Sequence, residues 1–341
     1  LLFNGYYRNP FRKKIAFKIG AVDQPDKRKV HSKPMPRIGG LAIYTSFLIG
    51  LFFFFPDSDV IGPIIAGSFI IIMTGLLDDI LQLSPKIKLI GQVGAAVVTV
   101  LGGIRIEFIT LPFGDRIEFE LFVIPVTILW IIAVTNAINL IDGLDGLAAG
   151  VSSIALITIS LLAISMGDST SALIGLILLG STLGFLVYNF YPAKIFMGDT
   201  GSLFLGYMIS VLSVTGLYKN VTLFSLIVPI IILAIPILDT AFAIVRRIVH
   251  NNPISAPDKF HLHHCIIRLG FSHRQTVIMI YAMSSLFSIA AVIFTKSTLW
   301  GATTIIISLA ILVEIMVEIT GLVSENYRPI LRLFEGSKVR K

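Results

Sequence analysis

Apolar residues arrive along this chain in long blocks, without the strict alternation of a half-buried strand or the spaced stripe of a surface helix. The blocks run at about 38–55, 60–77, 87–103, 121–141, 148–166, 171–190, 202–217, 222–245, 275–294 and 298–319. Each is 16 to 24 residues long, the length a helix needs to cross a hydrocarbon core of about 30 Å. The pattern predicts an all-α polytopic membrane protein, with about ten transmembrane helices in one domain spanning 1–341. One connection breaks the pattern. In 104–120, Ile106, Phe108, Ile117 and Phe119 alternate with Glu107, Glu118 and Glu120, which predicts a small structural hairpin.

Composition removes the competing classes. With 55% hydrophobic and 14% charged residues and a mean hydropathy of +0.89, the chain has too little polar surface for a soluble fold and too much apolar mass for disorder. Cys265 is the only cysteine, so no disulfide framework exists within the chain. The net charge of +7 raises nucleic acid as a partner until its distribution is followed. Labelling the segment before the first block as inside, the inside connections (1–37, 78–86, 142–147, 191–201, 246–274, 320–341) hold 22 of the 27 Lys and Arg residues. Lys88 at the head of its helix makes 23, against Arg105, Arg116, Lys219 and Lys296 outside. That asymmetry is the positive-inside signal of a membrane protein. It orients the chain and predicts contact with anionic lipid, not with DNA or RNA. Arg8, Arg12, Lys13, Lys14 and Lys18 interrupt every apolar stretch before residue 37, leaving a basic cytoplasmic N-terminal segment with no readable cleavable signal.

Polar residues collect at the inside helix ends in four places. Asp78 and Asp79 close the second block, where a helix C-terminus disfavours acids; adjacent residues point about 100° apart, so the two cannot bind one ion in the same way. Asn136, Asn139, Asp142 and Asp145 recur every third residue, a polar stripe longer than a helix cap requires. Asn189, Lys194, Gly198, Asp199, Thr200, Gly201 and Ser202 share one short inside loop, and a helix N-terminus there is suited to phosphate. Finally, His261, His263 and His264 sit in the inside loop 246–274, which carries five of the six histidines. Hard carboxylate ligands favour Mg²⁺ or Mn²⁺, and the lack of a thiol pair disfavours zinc.

All four clusters fall on the side already labelled inside. A transporter places ionisable groups near mid-span, whereas Asp239, Glu314 and Glu318 lie towards inside ends. The arrangement predicts metal-dependent phosphoryl transfer at the cytoplasmic face with a lipid as one substrate. The alternative, a nucleotide-sugar or lipid transporter, predicts movement without nucleotide release. A CDP-alcohol phosphotransferase needs an Asp-Gly-x-x-Ala-Arg motif that this sequence lacks.

The motifs Asp78-Asp79, Asn136-x-x-Asn139-x-x-Asp142-Gly-x-Asp145-Gly, Phe196-Met-Gly-Asp199-Thr-Gly-Ser and His261-x-His263-His264 resemble those of the polyprenyl-phosphate N-acetylhexosamine-1-phosphate transferases, glycosyltransferase family 4. Val22-Asp-Gln-Pro25, Lys29-Val-His31 and Pro36-Arg-Ile-Gly39-Gly40 match as well. The resemblance runs from about residue 20 to the last block and favours the N-acetylhexosamine branch that starts wall teichoic acid and related envelope glycans. The phospho-MurNAc-pentapeptide transferases are a more distant alternative. It implies a bacterial plasma-membrane enzyme with UDP-GlcNAc and undecaprenyl phosphate as substrates, Mg²⁺ as cofactor and a homodimer as a plausible assembly. It also implies a further helix ahead of residue 22, eleven in all. By the same resemblance, Asp78, Asp79, His263 and His264 are catalytic, and Asp199 and Asp142 are metal ligands. Asn139, Asp145, Asn189, Lys88 and His261 bind the nucleotide sugar, and Lys33, Arg37 and Lys194 the phosphate or lipid.

Overall fold

The structure, a computed structural model, describes residues 22–23, 35–54, 58–110, 116–218, 226–249, 251–253, 258, 260–323 and 327–335. Lys33 and most of the basic N-terminal segment lie outside the described residues. The apolar blocks are helical: α1 Gly39–Phe54, α2 Ile61–Leu81, α3 Pro85–Leu101, α4 Val123–Ile141, α5 Leu147–Ser165, α6 Ser169–Asn189 and α7 Gly198–Leu212. They continue with α8 Ile227–Ile232, α9 Ala234–Val249, the short α10 Leu262–Arg268, α11 His273–Thr295, α12 Leu299–Thr320 and α13 Pro329–Glu335. Six helical spans among the described residues (α2, α4 with its leading turn, α5, α6, α11 and α12) are long and apolar enough to cross a membrane, and α1 is a shorter apolar helix.

Local chemistry sets several boundaries. Pro85 opens α3, where its missing N–H has no helical partner to lose. Asp168, Ser272 and Thr298 cap α6, α11 and α12 through side-chain oxygens, Ser272 in a full capping box with Gln275. The stretch 104–120 does form a hairpin: β1 (Phe108–Thr110) pairs antiparallel with β2 (Arg116–Glu118), with Ile109 opposite Ile117. The block 222–245, expected as one span, is divided between α8 and α9 around Leu233. Pro236 explains the division, because it cannot donate the hydrogen bond that Ile232 O would receive in a continuous helix.

The centre of the fold is α7. Every residue from Thr200 to Leu212 is buried, as a stretch apolar on all sides but for small hydroxyl residues demands. It packs against α1, α2, α4 and α5. Close approach to α2 depends on Gly75, since a Cβ there would stand 2.5 Å from Thr200 Cα. This packing carries the first turn of α7 to the inside end of α2.

Candidate active site

Asp78 and Asp79 lie within α2, not beyond its end, and the helix turns them to different neighbours. The Asp79 side chain is 1% exposed. It accepts hydrogen bonds from the backbone N–H of Asp199 (2.9 Å), the backbone N–H of Thr200 (2.9 Å) and the Thr200 hydroxyl (2.6 Å). These are free donors of the first turn of α7, so Asp79 caps that helix from another segment of chain. Arg37 Nη1 stands 3.9 Å from Asp79 on its outer side.

Asp78 instead meets Lys88, whose Nζ is 2.9 Å from Asp78 Oδ2 and also ion-paired to Asp199 Oδ2. Asp199 occupies the first turn of α7, where an acid is favoured by the helix dipole. Asn139 completes the cluster, donating from Nδ2 to Ser202 Oγ at 2.8 Å. Asp142 follows the end of α4. Burial and then the nearby charges of Asp199 and Asp79 push its carboxyl up to about 7. Carboxylates thus crowd one region where Lys88 ties two of them together. Their hard oxygen donors suit a divalent cation. Among the described residues no three His, Cys, Asp or Glu side chains are placed to hold a metal by themselves, so oxygens from a ligand would have to complete its coordination.

A cavity of about 800 Å³ opens beside this cluster. Arg37, Asp78, Lys88, Asn139 and Asp199 supply much of its polar lining, with Gln82, Asn136, Thr240 and Arg247, and apolar side chains, mostly of α4 and α9, line the rest. Other predicted residues are placed elsewhere. Asp145 Oδ2 accepts from Ala193 N at 2.9 Å, while Asp145 N donates to His273 Nε2 at 3.0 Å. Asn189 accepts from Gly146 N at 3.0 Å and donates to Ile195 O at 2.9 Å. Both residues stitch the 142–146 turn to the loop after α6. The backbone of Lys194, in that loop, donates to Tyr188 O, and Lys194 does not line the cavity. Asn136 makes reciprocal hydrogen bonds with Gln92 of α3, at 3.2 and 2.7 Å, an interhelical clasp at the cavity wall.

The histidines form a second group. The His261 and His263 rings are nearly parallel at 6.0 Å, and His264 lies 4.1 Å from His263. The His263 imidazole sits against Gly143, where a Cβ would meet its Cε1 at 2.6 Å. Burial first, and the charge of His264 second, push His263 down to about 3, so it is a neutral imidazole at physiological pH. One positioning residue emerges only from the fold. Asp239 of α9, 2% exposed, accepts from His261 Nδ1 at 2.9 Å and Leu262 N at 2.8 Å. As the carboxylate only accepts, Nδ1 is the protonated nitrogen. The sequence signal was an aspartate inside an apolar block, with nothing to say which residue it meets.

The model of the glycosyl transferase family 4 matches residues 61–217. A Bacillus subtilis (strain 168) protein described as "Probable undecaprenyl-phosphate N-acetylglucosaminyl 1-phosphate transferase" is 52% identical, over 96% of this chain and 92% of its own. A decaprenyl-phosphate N-acetylglucosaminephosphotransferase of Mycolicibacterium smegmatis is 34% identical, over 93% of this chain and 86% of its own. The undecaprenyl-phosphate alpha-N-acetylglucosaminyl 1-phosphate transferase of Escherichia coli (strain K12) is 28% identical, over 81% of this chain and 77% of its own.

Proposed function

The chain belongs to glycosyl transferase family 4, and from that premise we propose that it transfers N-acetylglucosamine 1-phosphate from UDP-N-acetylglucosamine to undecaprenyl phosphate. The products are UMP and undecaprenyl-diphospho-N-acetylglucosamine, a first membrane-bound intermediate of wall teichoic acid or a related envelope glycan. The observation that carries the reading is the convergence of Asp78, Asp199 and Lys88 at the polar side of a cavity that also has a largely apolar stretch of wall from α4 and α9. Such a site can hold phosphates beside a lipid tail. The helices are read as ten crossings of a bacterial plasma membrane, with the site at the cytoplasmic face. The Lys and Arg asymmetry supports that orientation.

In this reaction an oxygen of the lipid phosphate bonds to the β-phosphorus of the donor. The bond from that phosphorus to the bridging oxygen breaks, and UMP leaves. A phosphate monoester has a second pKa near 6, so the acceptor is already largely dianionic at pH 7 and needs little help from a base. Asp78 then serves to position, and Asp79 acts through the α7 N-terminus that it caps. Asp199 and Asp142 would hold Mg²⁺ together with donor oxygens; when bound, that ion supplies charge stabilisation at the transferring phosphoryl group. His263 offers a neutral imidazole to the sugar or diphosphate, and Lys88 and Arg37 offer cations.

The test is UMP release by purified protein in detergent with both substrates and Mg²⁺, alongside Asp199→Ala, a chelator arm and a UDP-MurNAc-pentapeptide arm. Release that requires lipid, metal and Asp199 supports the reading. No release from folded protein with either sugar returns the transporter alternative. Exchange of labelled UMP into UDP-N-acetylglucosamine without lipid would replace direct attack by a two-step route.

A further inference from the structure

Helix α11 reaches back to the Asp-Gly turn with two side chains that are eight residues apart in sequence. His273 Nε2 accepts from Asp145 N at 3.0 Å, and the Tyr281 hydroxyl donates to Gly146 O. Eight residues advance a helix by little more than two turns, so both groups lie on one face. Neither bond serves α11 itself, whose start is already capped by Ser272 with Gln275. On the turn, Asn189 Oδ1 takes the next donor, Gly146 N, at 3.0 Å, and the Tyr191 ring lies 4.6 Å from the His273 ring. Gly150 admits the tyrosine, because a Cβ there would overlap the phenol oxygen. Asp145 N and Gly146 N stand at the head of α5, so part of this arrangement caps that helix. A cap alone does not account for a tyrosine on Gly146 O, which already accepts from Gly150 N at 2.9 Å.

The gripped turn has its other end in the site. Asp142 lies three residues before Asp145, and Gly143 is packed so closely that a Cβ would meet His263 Cε1 at 2.6 Å. His263 belongs to α10, and only residues 269–272 separate that helix from His273. One short stretch of chain therefore touches the turn twice, with His263 at Gly143 and with His273 at Asp145. We propose that His273 and Tyr281 are positioning residues: they lock the Asp142–Gly146 turn against the histidine segment and so set the place of Asp142 relative to the His263 imidazole. The inference rests on the proposed function for the reaction whose rate reports it. Because the Asp145 amide is the donor, His273 Nε2 is the nitrogen without a proton, and the ring acts there as an acceptor. In His273→Gln the side-chain oxygen can take over that role at a similar reach, whereas His273→Ala leaves the amide without an acceptor.

The experiment measures steady-state UMP release and amide hydrogen exchange on the full chain in detergent. His273→Ala is expected to lower kcat about ten- to hundredfold and Tyr281→Phe about three- to tenfold, with KM for UDP-N-acetylglucosamine within about threefold of the unaltered chain. His273→Gln should recover most of the His273→Ala loss. Gln275→Ala, which opens the capping box of α11 without touching the turn, should leave kcat within about twofold. Exchange in His273→Ala should quicken in 142–150 and in 261–264 together. Unchanged kcat in His273→Ala or in Tyr281→Phe, a rise in KM without a fall in kcat, no recovery by His273→Gln, or an equal kcat loss in Gln275→Ala overturns the proposal. Should His273→Ala fail to fold, Tyr281→Phe against Gln275→Ala decides by the same criteria. If the unaltered chain releases no UMP, the proposed function fails and exchange alone judges the lock: quickening in 142–150 without 261–264 overturns it.

Discussion

Replacing Asp79 by alanine should unseat the first turn of α7 before it touches any chemistry. The change leaves the Asp199 N–H, the Thr200 N–H and the Thr200 hydroxyl without the carboxylate that accepts all three. A buried donor left unsatisfied costs about 1–3 kcal/mol. Partial relaxation and water entry reduce the sum for three donors to about 3–6 kcal/mol. Asp79→Asn keeps one acceptor oxygen but aims an amide N–H at a donor, so about 1–3 kcal/mol is expected. Arg37 at 3.9 Å, its side chain 30% exposed, adds little to either figure. At about 2 °C per kcal/mol for a chain of this size, Asp79→Ala should melt roughly 6–12 °C lower in detergent. UMP release should fall with it, because Asp199 sits on the frayed turn and small misplacements cost about a hundredfold in rate. Asp78→Asn is the control: it loses one ion pair of a lysine that keeps its second partner, Asp199, so the melting temperature should hold while activity drops. An Asp79→Asn protein with unaltered melting but no UMP release would refute the capping argument and make Asp79 a chemical participant.

Gly143→Ala should displace the His263 imidazole, whose Cε1 would stand 2.6 Å from the new Cβ; kcat/KM for UMP release is expected to fall about a hundredfold, with a modest change in melting. Asp239→Asn should reduce kcat about tenfold or more through His261, yet add little in a His261→Ala background. Equal losses in both backgrounds would show that Asp239 acts only by capping the chain at Leu262. His263, pushed down to about 3 from an ordinary 6.5, binds a proton in the unfolded chain before it does so in the folded one. The contribution of His263 to stability must therefore fall as pH drops below about 6.5, by about 2 kcal/mol at pH 5. Melting curves of His263→Gln should be less acid-sensitive over that window, and an unchanged slope would contradict the burial argument.

The sequence by itself determined most of the helices and predicts their orientation, because both readings follow from local composition. A block of about twenty apolar residues has to satisfy its backbone internally once water is gone, and the Lys and Arg residues fall on one side of those blocks whatever the packing. The clusters around Asp78, Asn139, Asp199 and His263 were legible for a similar reason: polar residues at the ends of apolar helices have few structural excuses. Which member of each cluster does what was not legible. Asp78 and Asp79 are neighbours in sequence, and only the packing of α2 on α7, through Gly75, turns one towards free backbone donors and the other towards Lys88. Asp145 and Asn189 read as ligands along the chain, and only the fold shows that they also join two loops. Asp239 and His261, 22 residues apart, become partners because α9 faces the histidine segment. Periodicity fixes which residues share a helical face, but the direction that face looks is set by its neighbours. Charged groups depend most on that direction, since their energies turn on the few ångströms to a partner.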